Sequence, residues 1–167
     1  PTPRRASSTS SVEAQGPALC DFVAPEGKED HVGLFAITLS PSFVEEIERT
    51  RLGGDDFRHL LLRSVADRLV EAGSEWLHRE VRRTLWGYAP DENLTREELA
   101  RAAFQGIRPA VGYPSLPDQR MIFRVAKMLD LPALGISLTE NGAMLPQASV
   151  CGLYLASPHA YYFSVRS

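Results

Sequence analysis

The alternation of apolar and polar positions near the start of the chain predicts a strand followed by a helix. The run from His31 to Leu39 is apolar and contains Val, Phe, Ile and Thr, which favour extended structure. Ser40 precedes Pro41, a pair typical of a helix N-cap and a first helical position. We predict that this helix ends at Gly53-Gly54, because glycine commonly stops helices.

The longest periodic segment predicts a second helix, from Asp55 to about Leu85. Gly73 lies inside it and indicates a close packing contact. Apolar residues recur near helical spacing on one stripe, and polar residues recur three or four positions apart on the opposite stripe. The apolar set is Phe57, Leu60, Leu61, Val65, Leu69, Ala72, Trp76 and Leu77, and the polar set is Asp67, Glu71, Ser74 and His78.

The remaining pattern predicts an α+β domain. Thr95 and Glu98 form a capping-box sequence that begins a further helix. Residues 115–131 predict another helix, with an apolar face that contains Ile122 and Val125. Strands are predicted at Gly135 to Thr139, Ala148 to Leu155 and Tyr161 to Val165. Because helices and strands do not alternate in a βαβ rhythm, we expect a twisted antiparallel or mixed sheet flanked by helices.

Composition narrows the class of protein. Hydrophobic residues make up 44% of the 167 residues and charged residues 23%, the balance of a soluble globular domain. A net charge of −3 does not favour a nucleic-acid partner, and no apolar run approaches the roughly 20 residues of a membrane helix. Cys20 and Cys151 lack metal or redox spacing, so we expect a reduced, cytoplasmic protein. Residues 1–18 are rich in Ser, Thr, Pro and Gly and predict a flexible linker or strap before a domain at 19–167.

The stretch GIRPAVGYP, residues 106–114, is the most unusual segment. Pro109 keeps Arg108 out of the α region, so its guanidinium projects from extended backbone, and a guanidinium pairs with a carboxylate through two parallel hydrogen bonds. Gly112 admits a ligand or another backbone, and Tyr113 adds an aromatic face and a hydroxyl. The segment either holds a small carboxylate ligand or forms a rigid crossover in which the arginine pairs with a structural acid. Residue types alone favour the crossover.

Two further groups of residues are candidates for a role. Asp67, Glu71 and His78 have a spacing that permits metal binding, but two carboxylates and one histidine make a loose pattern, so a solvated or interdomain face is favoured. Trp76 and Trp86 are expected in the core rather than in a site. Neither GxGxxG nor a P-loop occurs, so the common nucleotide-binding folds are not indicated.

Several segments in one order carry a family resemblance. They are DFVAP, VADRLVEAGSEWLHREVRR, WGYAPDENL, GIRPAVGYP and LTENGAMLPQASVCGLYLASPHAYYFSV. Together they resemble the C-terminal activation domain of cobalamin-dependent methionine synthase, from about Cys20 to Val165. The family's domain is longer, so the resemblance implies that this chain represents part of it. In the family, the N-terminal portion that has no counterpart here supplies an acidic residue toward the ligand's amino group.

The resemblance implies that the domain binds S-adenosylmethionine, the methyl donor for reactivation of oxidised cobalamin. A flavodoxin-type partner supplies the electron, and another domain holds the cobalamin. The whole enzyme moves a methyl group from methyltetrahydrofolate to homocysteine. Arg108 would contact the ligand's carboxylate, and the residues implied to line the site are Ala110, Gly112, Tyr113, Tyr162 and Phe163.

The resemblance also implies an interdomain surface. Asp67 and Glu71 would face the cobalamin-binding domain, and Gln119 stands where the family often has a histidine that faces the same domain. The alternative function is a non-catalytic interaction module that docks on a corrinoid protein and has lost the ligand.

Overall fold

The computed structural model describes residues 16–165 and contains two small antiparallel sheets within that range. The predicted linker at 1–18 lies mostly outside the described residues. The longer pair joins β1 (Gly33–Thr38) to β4 (Ser149–Tyr154), with Gly33 opposite Tyr154 and Thr38 opposite Ser149. The shorter pair joins β2 (Ser137–Leu138) to β3 (Met144–Leu145). The antiparallel pairing is as predicted, and β1 and β4 lie within the strands predicted at His31 to Leu39 and Ala148 to Leu155.

The first three α-helices begin where the capping residues predict. The α-helices are α1 (Pro41–Leu52), α2 (Asp56–Glu80), α3 (Arg96–Ala100) and α4 (Ile122–Val125). Asp55 caps α2 by accepting a hydrogen bond from the backbone N–H of Arg58, and Thr95 and Glu98 form the predicted capping box. A π-helical turn continues α2 over Val81–Leu85, and short 3₁₀ turns occupy Leu19–Phe22, Gln119–Met121 and Pro132–Leu134.

The GIRPAVGYP segment lies along the second edge of β4. Ile107 and Leu155 exchange two backbone hydrogen bonds, and the backbone N–H of Leu153 donates to the Pro109 carbonyl at 3.0 Å. A proline is tolerated because an edge position needs no N–H on its outer side. Gly152 allows the approach, since a Cβ there would lie 2.7 Å from the Cα of Ala110. The sheet therefore fixes the extended backbone on which Arg108 stands.

Helical elements cover both faces of the β1–β4 sheet, which confirms the predicted α+β architecture. Val150 and Tyr154 pack with Val70 of α2 in one buried cluster. Cys151, between them on the strand, faces the other way and packs with Ile122 and Val125 of α4 in a second cluster.

The buried face of α2 is not the one that its apolar pattern predicts. The buried residues of the helix are Ala66, Val70, Ser74 and His78, whereas Phe57 is 79% exposed and Trp76 is 61% exposed. The prediction of a solvated or interdomain face is therefore wrong for His78, and Ser74 of the same polar stripe is buried as well. The helix packs closely on the sheet at Gly73, since a Cβ there would lie 2.6 Å from the Cδ1 of Ile37 in β1. The predicted close packing contact at this glycine is confirmed.

Two other predicted elements are shorter or absent. The helix predicted at 115–131 is reduced to one 3₁₀ turn and the four residues of α4, because the chain then closes i→i+3 turns such as Met128 N–H to the Val125 carbonyl. The strand predicted at 161–165 is not formed. Its backbone instead bonds to the loop at Pro114, and this loop contact helps to form the site described next.

Candidate functional site

A cavity of about 850 Å³ lies between α2, α3 with the loop that follows it, the GIRPAVGYP segment and the C-terminal segment 162–164. Both acidic and basic side chains line it, together with a group of aromatic and aliphatic residues. The lining residues include Glu71, Glu75, Trp76, Arg79, Arg96, Phe104, Arg108, Ala110, Tyr113, Tyr162 and Phe163. A mainly apolar concavity with a few convergent polar groups is the usual form of a small-molecule site.

Arg108 is the most constrained cation of this wall. Its backbone N–H donates to the Oη of Tyr162 at 3.0 Å, and its Nη2 donates to the Oε1 of Glu75 at 2.5 Å. The side chain is only 9% exposed, and its buried Nε has no hydrogen-bond partner among residues 16–165. Arg108 is thus held in place with donor capacity left over, as a site for a carboxylate requires.

Tyr113 lines the same cavity near the end of the GIRPAVGYP segment. Its hydroxyl donates to the Oε1 of Glu71 at 2.6 Å. This hydrogen bond, with a contribution from burial, raises the pKa of Tyr113 to about 12. The phenol therefore stays protonated at neutral pH, and it ties the segment to α2.

Hydrogen bonds join the C-terminal segment to the residue that follows the GIRPAVGYP segment. The Oγ of Ser115 donates to the Phe163 carbonyl at 2.5 Å, and the backbone N–H of Phe163 donates back to that Oγ at 3.2 Å. Phe22 packs edge-on against Tyr161, with ring centroids 5.3 Å apart. These contacts bring Tyr162 and Phe163 to the cavity, although neither belongs to a strand.

A buried polar layer lies beneath the cavity floor. His78 stacks on Tyr154 with ring centroids 5.2 Å apart and meets Phe104 edge-on at 5.0 Å. Burial, and then the charges of Arg82 and Arg108, lower the pKa of His78 to about 3, so the imidazole is neutral at pH 7. The pattern of the sequence does not reveal this layer, since His78 belongs to the stripe predicted to face solvent.

A buried ion pair between Arg82 and Glu92 also belongs to this layer. Arg82 donates from Nε and Nη2 to both carboxylate oxygens of Glu92 at 2.5 and 2.7 Å, and the two side chains are 1% and 7% exposed. The guanidinium carbon of Arg82 also lies 4.3 Å from the centroid of the Phe104 ring, which lines the cavity.

The structure brings most of the candidate residues together and separates three of them. Arg108, Ala110, Tyr113, Tyr162, Phe163 and Glu71 all line the cavity. Gly112 does not; its φ is +85°, and a Cβ there would lie 2.7 Å from the Oε1 of Gln119. Gln119 in turn donates to the Gly142 carbonyl at 2.7 Å and so supports the segment from behind. Asp67 lines a second cavity, of about 550 Å³, that α1 and the β3–β4 connection also border.

Two cavity residues were not predicted for the site: Glu75 was not singled out, and Trp76 was expected in the core. Glu75 follows Glu71 by one helical turn, a spacing that places both carboxylates on one side of α2 and was the available signal. The expectation that Trp76 lies in the core is wrong, because the opposite face of α2 is buried; Trp86 does pack against the core, as expected.

The metal hypothesis for α2 finds no support within residues 16–165. No group of three or more His, Cys, Asp or Glu side chains in that range is arranged to hold an ion. His78 points into the core, while Asp67 is exposed. Over the same residues, no helix has the length and apolar character needed to cross a bilayer.

The fold is that of a known domain family. The chain belongs to the family described as the vitamin B12 dependent methionine synthase activation domain, whose model matches residues 4–167. A solved structure described as the MetH reactivation domain bound to AdoHcy is similar, with 42% sequence identity and a TM-score of 0.80. The match covers 86% of this chain and 45% of that chain, so this chain spans less than half of that relative's length.

Proposed function

We propose that the cavity binds S-adenosylmethionine and presents its methyl group to a cobalamin held by another domain of a methionine synthase. The observation that carries this proposal is the convergence of Arg108, Tyr113 and Tyr162 on one cavity, in a chain similar to an AdoHcy-bound reactivation domain. A volume of about 850 Å³ suits a ligand of this size.

The described side chains suit the parts of such a ligand. Arg108 offers its guanidinium, one nitrogen of which is already bonded to Glu75, to the carboxylate of the methionine moiety. Ala110 and Tyr113 offer backbone and a phenol beside it, and Gly112 sets the turn between them. Tyr162 and Phe163 offer aromatic faces, which attract a sulfonium by the cation–π effect.

The ligand supplies the methyl group, and the work of this chain is to bind and align it. Methyl transfer from a sulfonium needs an in-line approach rather than a general base, so positioning is the main demand. We assign Glu71, Asp67 and Gln119 to contacts with the cobalamin-binding domain, and Glu71 would couple those contacts to the cavity through Tyr113. A flavodoxin-type donor would supply the electron, in the cytoplasm. The whole enzyme would methylate homocysteine from methyltetrahydrofolate.

Isothermal titration calorimetry with S-adenosylmethionine tests the proposal. We expect saturable binding that Arg108→Ala abolishes. Arg120→Ala is the matched control, because the side chain of Arg120 is 84% exposed and lies outside the cavity lining. Absence of binding to a folded wild-type protein would contradict the proposal and favour the alternative, an interaction module that docks on a corrinoid protein without a ligand of its own.

A further inference from the structure

We propose that the WGYAPDENL segment, residues 86–94, is a positioning loop: it fixes the ring of Phe104, a residue of the cavity lining, through two buried side chains. None of the residues of this loop, all of which the structure describes, lines the cavity itself. The inference rests on the proposed function and assigns a role in it to a segment that does not touch the ligand.

Phe104 is half-buried, and its ring is held from two sides. The guanidinium carbon of Arg82 lies over the ring, 4.3 Å from its centroid. The imidazole of His78 meets the same ring edge-on, with the two centroids 5.0 Å apart. Arg82 is 1% exposed and His78 is fully buried, so neither can move aside into solvent. The position of the Phe104 ring therefore follows the positions of these two side chains.

One loop holds both of the side chains that contact Phe104. Glu92 accepts hydrogen bonds from the Nε and the Nη2 of Arg82, at 2.5 and 2.7 Å. The Oη of Tyr88 lies 3.3 Å from the Nε2 of His78. The backbone N–H of Ala89 also donates to the Arg82 carbonyl at 2.8 Å, which ties the loop to the π-helical turn. A change in this loop would consequently reach the ring through either contact.

The buried ion pair suits a positioning role better than a purely stabilising one. A buried ion pair often stabilises a fold no more than apolar side chains of similar volume would, so net stability does not account for it. Two parallel hydrogen bonds to one carboxylate do fix the position and the plane of a guanidinium. In Arg82 that fixed group is the one that lies over the Phe104 ring.

The loop that carries Phe104 also contains a residue with an unfavourable backbone conformation. Ala102, which lines the cavity too, has a φ of +54°. Alanine rarely adopts this left-handed conformation, which persists where the surrounding structure holds it. The fixed ring of Phe104 supplies such an anchor, and the loop between α3 and the GIRPAVGYP segment then presents one arrangement to a ligand.

A double-mutant cycle tests the inference. Calorimetry with S-adenosylmethionine is carried out on the wild type, Arg82→Lys, Phe104→Leu and the variant that combines both. Lysine keeps the buried charge without the planar group over the ring, and leucine removes the ring but stays apolar. We expect each single variant to lower the affinity by about fivefold and the double variant to bind no more weakly than Phe104→Leu, because Arg82 acts through the ring. Arg120→Lys, an exposed arginine outside the lining, should bind as the wild type does.

The double variant decides between positioning and a merely structural role. General loosening of the domain predicts that the two losses multiply, to about 25-fold, since independent effects add in free energy. That result overturns the inference and leaves the proposed function standing, and so does wild-type affinity in either single variant.

Two further variants keep the test decisive. If Arg82→Lys does not fold, Tyr88→Phe replaces it; the loss of the hydroxyl beside His78 should lower the affinity about threefold in the wild type and not at all in Phe104→Leu. Phe104→Met replaces Phe104→Leu if that variant does not fold. If the wild type does not bind S-adenosylmethionine, the proposed function fails, and this inference fails with it.

Discussion

The hydroxyl of Tyr162 accepts a hydrogen bond from the backbone N–H of Arg108 across 54 residues of sequence. This N–H belongs to the segment along β4 but points away from the strand, so without Tyr162 it loses its protein partner. The bond also joins the C-terminal segment to the carboxylate-binding residue. The site consequently depends on the last described residues as much as on the GIRPAVGYP loop.

Tyr162→Phe should weaken the site more than the fold. We expect a loss of about 1 kcal/mol in the free energy of unfolding, the usual net value of one hydrogen bond, measured by urea denaturation. Affinity for S-adenosylmethionine should fall severalfold, because one of the contacts that hold Arg108 in place is lost. Tyr161→Phe removes the neighbouring hydroxyl, which does not contact Arg108, and should change neither quantity. Equal losses in both variants would refute a specific role for Tyr162.

Gly152→Ala should strongly destabilise the domain. The added Cβ would collide with the Pro109 carbonyl and approach the Cα of Ala110, both of which are backbone atoms that the sheet holds in place. We expect a loss of about 2 kcal/mol or more, comparable to other overpacked core sites. Gly16→Ala is the control, since nothing lies within 4 Å of a Cβ there. A wild-type denaturation midpoint for Gly152→Ala would show that the 107–111 segment does not pack against β4 as described.

Glu92→Gln should cost far more than a matched change on the surface. Arg82 and Glu92 form a bidentate pair that is almost fully buried, so neutralising one partner leaves a buried guanidinium without its counterion. We expect a loss of about 3 kcal/mol in the free energy of unfolding. Glu48→Gln breaks the exposed pair with Arg51 and should cost less than about 1 kcal/mol. Similar costs for the two variants would contradict the burial of the Arg82–Glu92 pair.

Stability should decrease as the pH falls below about 6.5, because of His78. The pKa of this imidazole is lowered to about 3 in the folded protein, so between these values the unfolded chain binds a proton that the folded chain does not. The contribution of His78 is fully present above the unfolded pKa and declines by about 1.4 kcal/mol per pH unit as the pH falls toward 3. Urea denaturation between pH 7 and pH 5 measures the slope.

His78→Gln is the variant that isolates this effect. It is expected to be less stable at pH 7 but to have a shallower dependence on pH across the same interval. If both proteins show the same slope between pH 7 and pH 5, the buried, neutral state of His78 is wrong.

The pattern of the sequence predicted the elements better than it predicted their faces. β1, α1 and the start of α2 are marked by local signals: a β-branched run, Pro41 after Ser40, and Asp55 as a cap. Which face of α2 is buried depends on the partner surface. The sheet packs against the face of α2 that contains Gly73 and Ser74, and Phe57 and Trp76 remain exposed. The periodicity of apolar residues alone does not predict this.

In the candidate site, too, some residues were predictable from the sequence and others depend on tertiary contacts. Arg108, Tyr113 and Tyr162 were predicted because the family resemblance names their positions, and the structure places them at one cavity. Glu75 was missed, since a charged residue on a helix usually faces water and only the position of Arg108, 33 residues later, makes it part of a site. Likewise, the strand predicted at 161–165 failed because its backbone partners belong to a loop, at Pro114 and Ser115.

A crystal structure of the protein with AdoHcy tests the central claim most directly. The account predicts the ligand in the cavity between α2 and the GIRPAVGYP segment, with its carboxylate against the guanidinium of Arg108 and aromatic contacts from Tyr162 or Phe163. The second cavity, beside Asp67, should remain empty. Ligand bound there instead, or no bound ligand at saturating concentration, would contradict the assignment of the site.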